Sequence, residues 1–426
     1  MAGVLMDLRP LRASRQFRVL LGGLLARQFG FQLSAAALVY EVYVLTHSPA
    51  AVGLLSLVQL ASSLSVSLAG GTIADTLDRR ALLRTLAVLI PCCSAALAVE
   101  SARPNPSVSV VIGLAGVNAA LNVLDVPTRM AAMMSVISAS QRVPATVLRQ
   151  FVQQIARLLA PLLAGVLIAL GHGRTAAVYW VDTGCALFSL LSAMRLHHLP
   201  GDREVRVGVR ALRDGFGYVR RTQTVFACFV MDLSGTVLGT PTALLPLIAI
   251  SHFHGGGVTY GALGAATGAG GVLGSLLSGW TRRARRLGRL VVGAICVWGG
   301  CIAMFGLAPN LTIALAALTV AGWADVVSAA LRNAIIHAEV PDRLRGRMSS
   351  LQAAVVQAGP RLGSAEGAFV ASLVSPEFAI VSGGFAAVAS TLALARALPA
   401  FVRYTHRPPG NWQPESSGEG EPVAIG

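Results

Sequence analysis

Residues 71–80 read Gly71-Thr72-Ile73-Ala74-Asp75-Thr76-Leu77-Asp78-Arg79-Arg80. Apolar blocks lie on either side, at about 51–73 and 85–102. Each is long enough to cross a hydrocarbon core of ~30 Å at ~1.5 Å per residue. Two acids and two arginines packed between such blocks read as a tight turn at a membrane surface. Gly71 lets the end of one helix approach a neighbour, Asp75 follows four residues later at that surface, and Arg79 and Arg80 stand across the turn.

The same alternation extends outward in both directions. Apolar stretches of membrane length fall at about 19–45, 51–73, 85–102, 107–125, 150–170, 176–194, 225–250, 261–281, 290–307, 311–331, 348–373 and 378–395. Their connections carry Pro, Gly and charge, as in His47-Ser48-Pro49, Arg103-Pro104-Asn105-Pro106 and Pro309-Asn310. The expected fold is therefore an all-α integral membrane protein of twelve transmembrane helices. Composition agrees. Of 426 residues 54% are apolar and 12% charged, where a soluble domain has about a quarter charged, and the mean hydropathy is +0.66. An ordinary soluble enzyme is excluded.

The basic excess, 34 Arg and no Lys against 19 acids, is punctuated by apolar blocks and does not form one stripe. It indicates topogenic loops and no nucleic-acid partner. With both termini cytoplasmic, 29 arginines fall on the inner side and only Arg103 and Arg174 on the outer; Arg27, Arg157 and Arg361 lie within spans. The six cysteines sit in apolar blocks with no CxxC spacing and read as small core side chains. No short apolar region followed by an A-x-A site marks a cleavable leader. Walker A, HExxH and GxSxG patterns are absent, so no catalytic residue, metal or cofactor is expected.

The chain divides into a cytoplasmic N-terminus (1–18), a six-helix bundle (19–194), a cytoplasmic linker (195–224), a second six-helix bundle (225–400) and a disordered cytoplasmic tail (401–426). The linker includes an amphipathic stretch around Val209–Val219 suited to lie on the membrane. The halves repeat at an offset near 200. Ala160-Pro161-Leu162-Leu163-Ala164-Gly165 in the fifth span corresponds to Gly359-Pro360-Arg361-Leu362-Gly363 in the eleventh, each preceded by a basic loop. Parallel six-span repeats are the symmetry of a transporter that rocks one half against the other.

Ionisable groups within hydrocarbon cost about 2.5–3.5 kcal/mol each on insertion scales, so they should face a cavity or pair with one another. Candidates for a substrate or proton pathway are Arg27 and Gln32 in the first span, Arg157 in the fifth, Asp232 in the seventh, Asp325 in the tenth, and Arg361 with Glu366 in the eleventh. Asp325, mid-span, is the best single protonatable site. Glu41 and Asp182 lie near span ends, at the outer interface. Arg361 and Glu366, five apart, share no helix face. Glycines of the eighth span (Gly264, Gly268, Gly270, Gly271, Gly274, Gly279) favour close packing inside one monomer, and Pro241 and Pro246 should kink the seventh span.

The 71–80 turn resembles the G-x-x-x-D-x-x-x-R-[RK] signature of the major facilitator superfamily, at the loop where that family carries it. Tyr40 through Leu54 resembles the helix 1–2 junction of the branch that contains enterobactin and macrolide exporters, the transmembrane secretion effector type. Asp125-Val126-Pro127-Thr128-Arg129 resembles its D-x-P-A-R element. Pro341-Asp342-Arg343-Leu344-Arg345-Gly346-Arg347-Met348-Ser349-Ser350 resembles its P-x-x-x-R-G-R-x-x-S element. The resemblance covers about residues 15–400.

It implies two pseudo-repeated six-helix bundles and a gate formed by Gly71, Asp75, Asp78, Arg79, Arg80, Asp125, Arg129, Arg345 and Arg347. Asp75 would sit near the start of helix 11, where free N–H groups favour an anion, and Arg79 and Arg80 would pair with acids such as Asp125. Two departures stand out. Thr76 and Asp78 replace the usual basic residue and Gly, and Gly279-Trp280-Thr281-Arg282-Arg283 in the second half has no acid, which makes the latch one-sided. The implied function is secondary active transport in a bacterial inner membrane: proton-coupled export of a small organic compound, drug-like or siderophore-like, by a monomer in the lipid bilayer. The alternatives are proton-coupled uptake and a non-transporting membrane partner of the same fold.

Overall fold

The computed structural model describes residues 15–76, 79–135, 141–194, 216–277 and 284–405. These residues hold twelve long helices and no strand. The first six are α1 (Arg15–Thr46), α2 (Pro49–Thr76), α3 (Arg79–Ser101), α4 (Val108–Ser135), α5 (Arg142–Leu170) and α6 (Ala176–Met194). The second six are α7 (Gln223–Gly239), α8 (Gly257–Leu277), α9 (Leu287–Gly306), α10 (Leu311–Glu339), α11 (Asp342–Leu373) and α12 (Pro376–Ala397), with a short α13 (Pro399–Val402) after them. Nine are long and apolar enough to cross a bilayer by length and composition, counting α7 with its continuation to His252. The apolar part of α6, Ala176–Ser192, is shorter, glycine dilutes α8, and charge dilutes the start of α11.

Several helices run past the limits their apolar content suggests. α4 continues to Ser135, α10 continues to Glu339, and α11 begins at Asp342. Asp125, Arg129, Arg332, Arg345 and Arg347 therefore lie on helices and not in loops. Arginine is a good helix former and its long stem keeps the charge near water while the backbone stays hydrogen-bonded. Of the linker, residues 216–221 are helical; the rest of the expected amphipathic stretch, and the tail beyond 405, lie outside the described residues. Among the cysteines Cys93 and Cys228 are buried, but Cys92 faces outward.

The expected kink in the seventh span has a local cause. Pro241 removes a donor and forces the residue before it out of the helical region, and Thr240 is extended at φ −78°, ψ 110°. The chain resumes as a 3-10 turn (Thr242–Leu244), one helical turn (Leu245–Leu247) and a wide turn (Ile248–His252). The half repeat is visible here as well. The α1–α2 and α7–α8 turns each hold a histidine in the left-handed region, His47 at φ 50° and His254 at φ 49°.

Side-chain packing differs between the two ends of the bundle. At the end away from the chain termini, one continuous apolar cluster takes residues from eleven of the twelve helices and from the continuation of α7, including Leu33, Val52, Leu97, Ala164, Tyr179 and Leu245 with Tyr260, Phe305, Leu318 and Ala368. Near the termini the described clusters stay within one half each. Phe17, Leu21, Met133 and Leu148 form one, Leu82, Leu86, Ile90 and Ala186 another, and Met231, Val291, Leu331 and Phe401 belong to the third. Among the described residues the far end is thus shared and the near end divided.

Two helix pairs make the seam between halves: α5 with α8, and α2 with α11. Lipid tails are as apolar as leucine, so such pairs depend on close packing and not on water exclusion. The α5–α8 pair shows how close. A Cβ on Gly165 would stand 2.3 Å from the Gly257 carbonyl oxygen and 2.8 Å from the Gly261 Cα. Only glycine fits there. Above it the Tyr260 hydroxyl of α8 donates to the Ala36 carbonyl of α1 at 2.8 Å, and the Tyr40 and Tyr260 rings lie 5.5 Å apart. On the α2–α11 side, Arg361 Nη1 donates to Ser63 Oγ at 2.6 Å.

Candidate functional site

Each half holds a buried cluster of charge. In the first half it is built on α1, where Arg27, Ser34 and Glu41 recur every seven residues and so share a face. That face meets α6. Asp182 of α6 is wholly buried, and its Oδ2 accepts from Ser34 Oγ at 2.5 Å and from Ser94 Oγ of α3 at 2.8 Å. Its Oδ1 lies 3.6 Å from Arg27 Nη1. Gly30 makes the room: a Cβ there would fall 2.3 Å from that same oxygen.

Arg27 also approaches Asp125 of α4, Nε to Oδ2 at 4.0 Å, and Asp125 in turn accepts from Arg129 Nε at 2.7 Å. The Arg27 guanidinium stacks 5.5 Å from the Phe31 ring centroid. None of its three nitrogens is hydrogen-bonded to the protein, and neither is Asp182 Oδ1. Two arginines and two aspartates, all under 8% exposed, make a cluster of zero formal charge. Arg27 is held in it by Coulomb attraction and not by hydrogen bonds, a loosely satisfied position in which removing one partner is expensive.

The second half repeats the arrangement with different chemistry. Arg332 Nη2 lies 2.5 Å from Asp232 Oδ1 of α7, and its Nη1 donates to Ser328 Oγ, one turn earlier, at 2.6 Å. Arg332 and Ser328 stand to α10 as Arg129 and Asp125 stand to α4, an arginine bonded four residues back. Serine has replaced the acid, and the counter-charge comes from the facing helix. Asp325, one turn away and half-buried, lines a cavity of about 20 Å³ together with Asp232, Thr236, Trp298, Ser328 and Arg332. That is room for about one water. With two acids and one arginine this cluster carries one negative charge more than the first.

The remaining expected residues are dispersed. Gln32 is half-buried on α1 and Arg157 is exposed on α5. Arg361 binds Ser63 across the seam and does not reach Glu366. Glu366 instead lines a small cavity against the α7 break, beside Gly239, Thr240 and Pro241. Of the gate, Asp125 and Arg129 are described, and the described partners of Asp125 are Arg129 and Arg27. The backbones of Gly71 and Asp75 belong to α2 and those of Arg79 and Arg80 to α3. The side chains of these four, and of Arg345 and Arg347 on α11, lie outside the described residues, as does Asp78 altogether.

Two members of the clusters escape a sequence reading. Asp182, expected at the outer interface, is instead the hub of the first cluster, because α1 turns its polar face to α6. Arg332, counted with an inner loop, is inside α10. Its position four residues after Ser328, matching Arg129 after Asp125, is the signal that points to it.

Twelve helices in two halves, one shared end and one divided end, and buried charge in each half define a transporter of the major facilitator fold, not an enzyme. The chain belongs to the transmembrane secretion effector family, whose model matches residues 6–417. It is 24% identical over 411 residues to "Enterobactin exporter EntS" of Citrobacter koseri, covering 95% of this chain and 97% of that one. The corresponding exporter of Salmonella choleraesuis is 23% identical over 407 residues, with the same coverage. Among solved structures, a D-xylose–proton symporter superposes with a TM-score of 0.71 at 13% identity, covering 90% of this chain and 98% of that one. The nucleoside transporter NupG superposes with a TM-score of 0.68 at 13% identity, covering 91% and 98%. A bacterial homologue of the iron transporter ferroportin, in an inward-facing state, gives 0.67 at 14% identity and covers 91% and 98%.

Proposed function

We propose that this chain is a proton-coupled exporter of a small organic compound, siderophore-like or drug-like, working by alternating access in a bacterial inner membrane. The arginine distribution supports cytoplasmic termini; in this reading the divided end faces inward and the shared apolar end is the closed outer gate. The two bundles, 19–194 and 225–400, rock about the α5–α8 and α2–α11 seams as a monomer, joined by the 195–224 linker. The 71–80 turn, with Asp75 toward the start of α11 and Arg345 and Arg347 nearby, biases the inner gate by making and breaking ion pairs. The exporters of enterobactin among its relatives favour the outward direction and the substrate class.

One observation carries this reading: among the described residues the apolar core is common to both halves at one end and split between them at the other. A rigid scaffold gains nothing from that asymmetry, whereas a two-state carrier requires it. The excess acid of the second cluster supplies the coupling. With one proton bound, the cluster becomes neutral like its counterpart, and Asp232 and Arg332 remain paired.

The test uses the purified chain in proteoliposomes, with labelled compounds first selected in a strain that lacks its own efflux pumps. Movement opposite to an imposed proton gradient, abolished by a protonophore, supports the reading. Movement along with protons identifies an uptake symporter. No movement of any tested compound, in cells or in proteoliposomes, identifies a non-transporting partner.

A further inference from the structure

Glu41 belongs to neither cluster's ion pairs. It sits on α1 near the far end, 5% exposed, and its Oε2 accepts a hydrogen bond from the Tyr179 hydroxyl of α6 at 2.7 Å. Four acids are buried among the described residues: Glu41, Glu100, Asp125 and Asp182. Three of them have an arginine within 4.0 Å, Glu100 from Arg103, Asp125 from Arg129 and Arg27, and Asp182 from Arg27. Among the described residues Glu41 alone of the four has no cation within that distance.

The groups around it do not supply one. On α3, Glu100 is occupied by Arg103 at 2.8 Å and by the Ser107 amide at 2.8 Å. The uncharged Ser101 and Thr175 hydroxyls stand beside it; on α6, Tyr179 faces it, and Asp182 one turn on is held by Ser34, Ser94 and Arg27. Tyr40 and Tyr43 lie beside it on α1, and Tyr260 packs on Tyr40 from α8. His47 and Arg174, in the neighbouring turns, are exposed, and the His47 ring stands against Tyr43. The α5 residues at this level, Ala164 and Ile168, are apolar. A carboxylate so placed would be desolvated with no counter-charge, a state proteins avoid by keeping the group neutral.

We propose that Glu41 is a proton-binding site of the outer gate. It holds its proton while the far end is sealed and exchanges it with water on that side when the halves part. The step breaks the Glu41 O–H bond, passes the proton to water, and leaves a carboxylate that Tyr179 still solvates by donating to it. The proposal rests on the alternating-access reading for the opening of the gate, but not for the protonation state itself.

The protonation state is read without any transported compound. Infrared spectra of the full chain in nanodiscs at neutral pH should show a protonated carboxylic-acid carbonyl band that moves down in deuterium oxide. Glu41→Gln, which keeps the shape and the Tyr179 partner, should abolish that band. Tyr179→Phe, which removes the donor, should shift it to higher frequency. A spectrum unchanged by Glu41→Gln, or one without such a band, overturns the assignment even if export is real. In proteoliposomes that show proton-driven export by the wild type, Glu41→Gln should lose gradient-driven accumulation and keep compound-for-compound exchange. Full retention of gradient-driven accumulation overturns the gating role.

Discussion

Adding one methyl group at the seam between halves should shift the conformational balance. In Gly165→Ala the new Cβ would stand 2.3 Å from the Gly257 carbonyl oxygen and 2.8 Å from the Gly261 Cα, whereas ordinary contact begins at 3.4 Å. Both neighbours are backbone, so no side chain can rotate away and α5 and α8 must part by about 1 Å. Overpacking of this kind costs roughly 1–3 kcal/mol. The cost falls on the state in which the far end is sealed and is relieved where the seam opens. The populations should therefore move about 5- to 150-fold toward the open far end.

Spin labels at Val110 on α4 and Leu307 after α9, exposed far-end positions one to each half, report the separation by pulsed electron resonance in a background without native cysteines. The long-distance population should grow in Gly165→Ala. It should not grow in Gly300→Ala, where a Cβ meets nothing within 4 Å. Identical distance distributions in Gly165→Ala and the wild type would refute the role given to the α5–α8 seam.

Three further outcomes are expected. Arg332→Met alone strands Asp232 and should cost about 3–5 kcal/mol, while Arg332→Met with Asp232→Leu should recover most of it; melting temperatures in detergent check this, and equal losses would mean the pair is not buried in effect. Gly30→Ala drives a Cβ to 2.3 Å from Asp182 Oδ1 and should lower the melting temperature more than Gly184→Ala, where nothing lies within 4 Å. Asp75→Asn should leave the protein in the membrane, by quantitative blotting, yet cut export in vesicles; normal efflux would remove Asp75 from the gate.

How much of this was legible in the sequence depended on the kind of signal. The spans were, because hydrocarbon demands long apolar runs and nothing else in the chain supplies them. The break in α7 was, because Pro241 acts on its neighbour through covalent geometry. The extents of α4, α10 and α11 were not. Apolarity marks where lipid ends, but Asp125, Arg129 and Arg332 continue their helices beyond it. The identity of the charged pairs was also hidden. Arg27 and Asp182 are 155 positions apart, and nothing local in either segment says that α1 turns its seven-residue polar line toward α6. The heptad recurrence of Arg27, Ser34 and Glu41 was there to be read, but which helix it faced required the packed bundle. Glu41 lies near a span end and so reads as peripheral, yet end-of-span and exposed are different properties when both halves converge on one cluster.

The central claim, exchange of a compound for protons, is tested most directly with no proton gradient imposed at all. Proteoliposomes with a pH-sensitive dye trapped inside are given a gradient of the transported compound alone, under clamped membrane potential. The account predicts a lumenal pH change of the sign expected for protons moving against the compound, lost in Asp325→Asn. A lumenal pH that stays constant while the compound crosses, or that changes with the opposite sign, would contradict it.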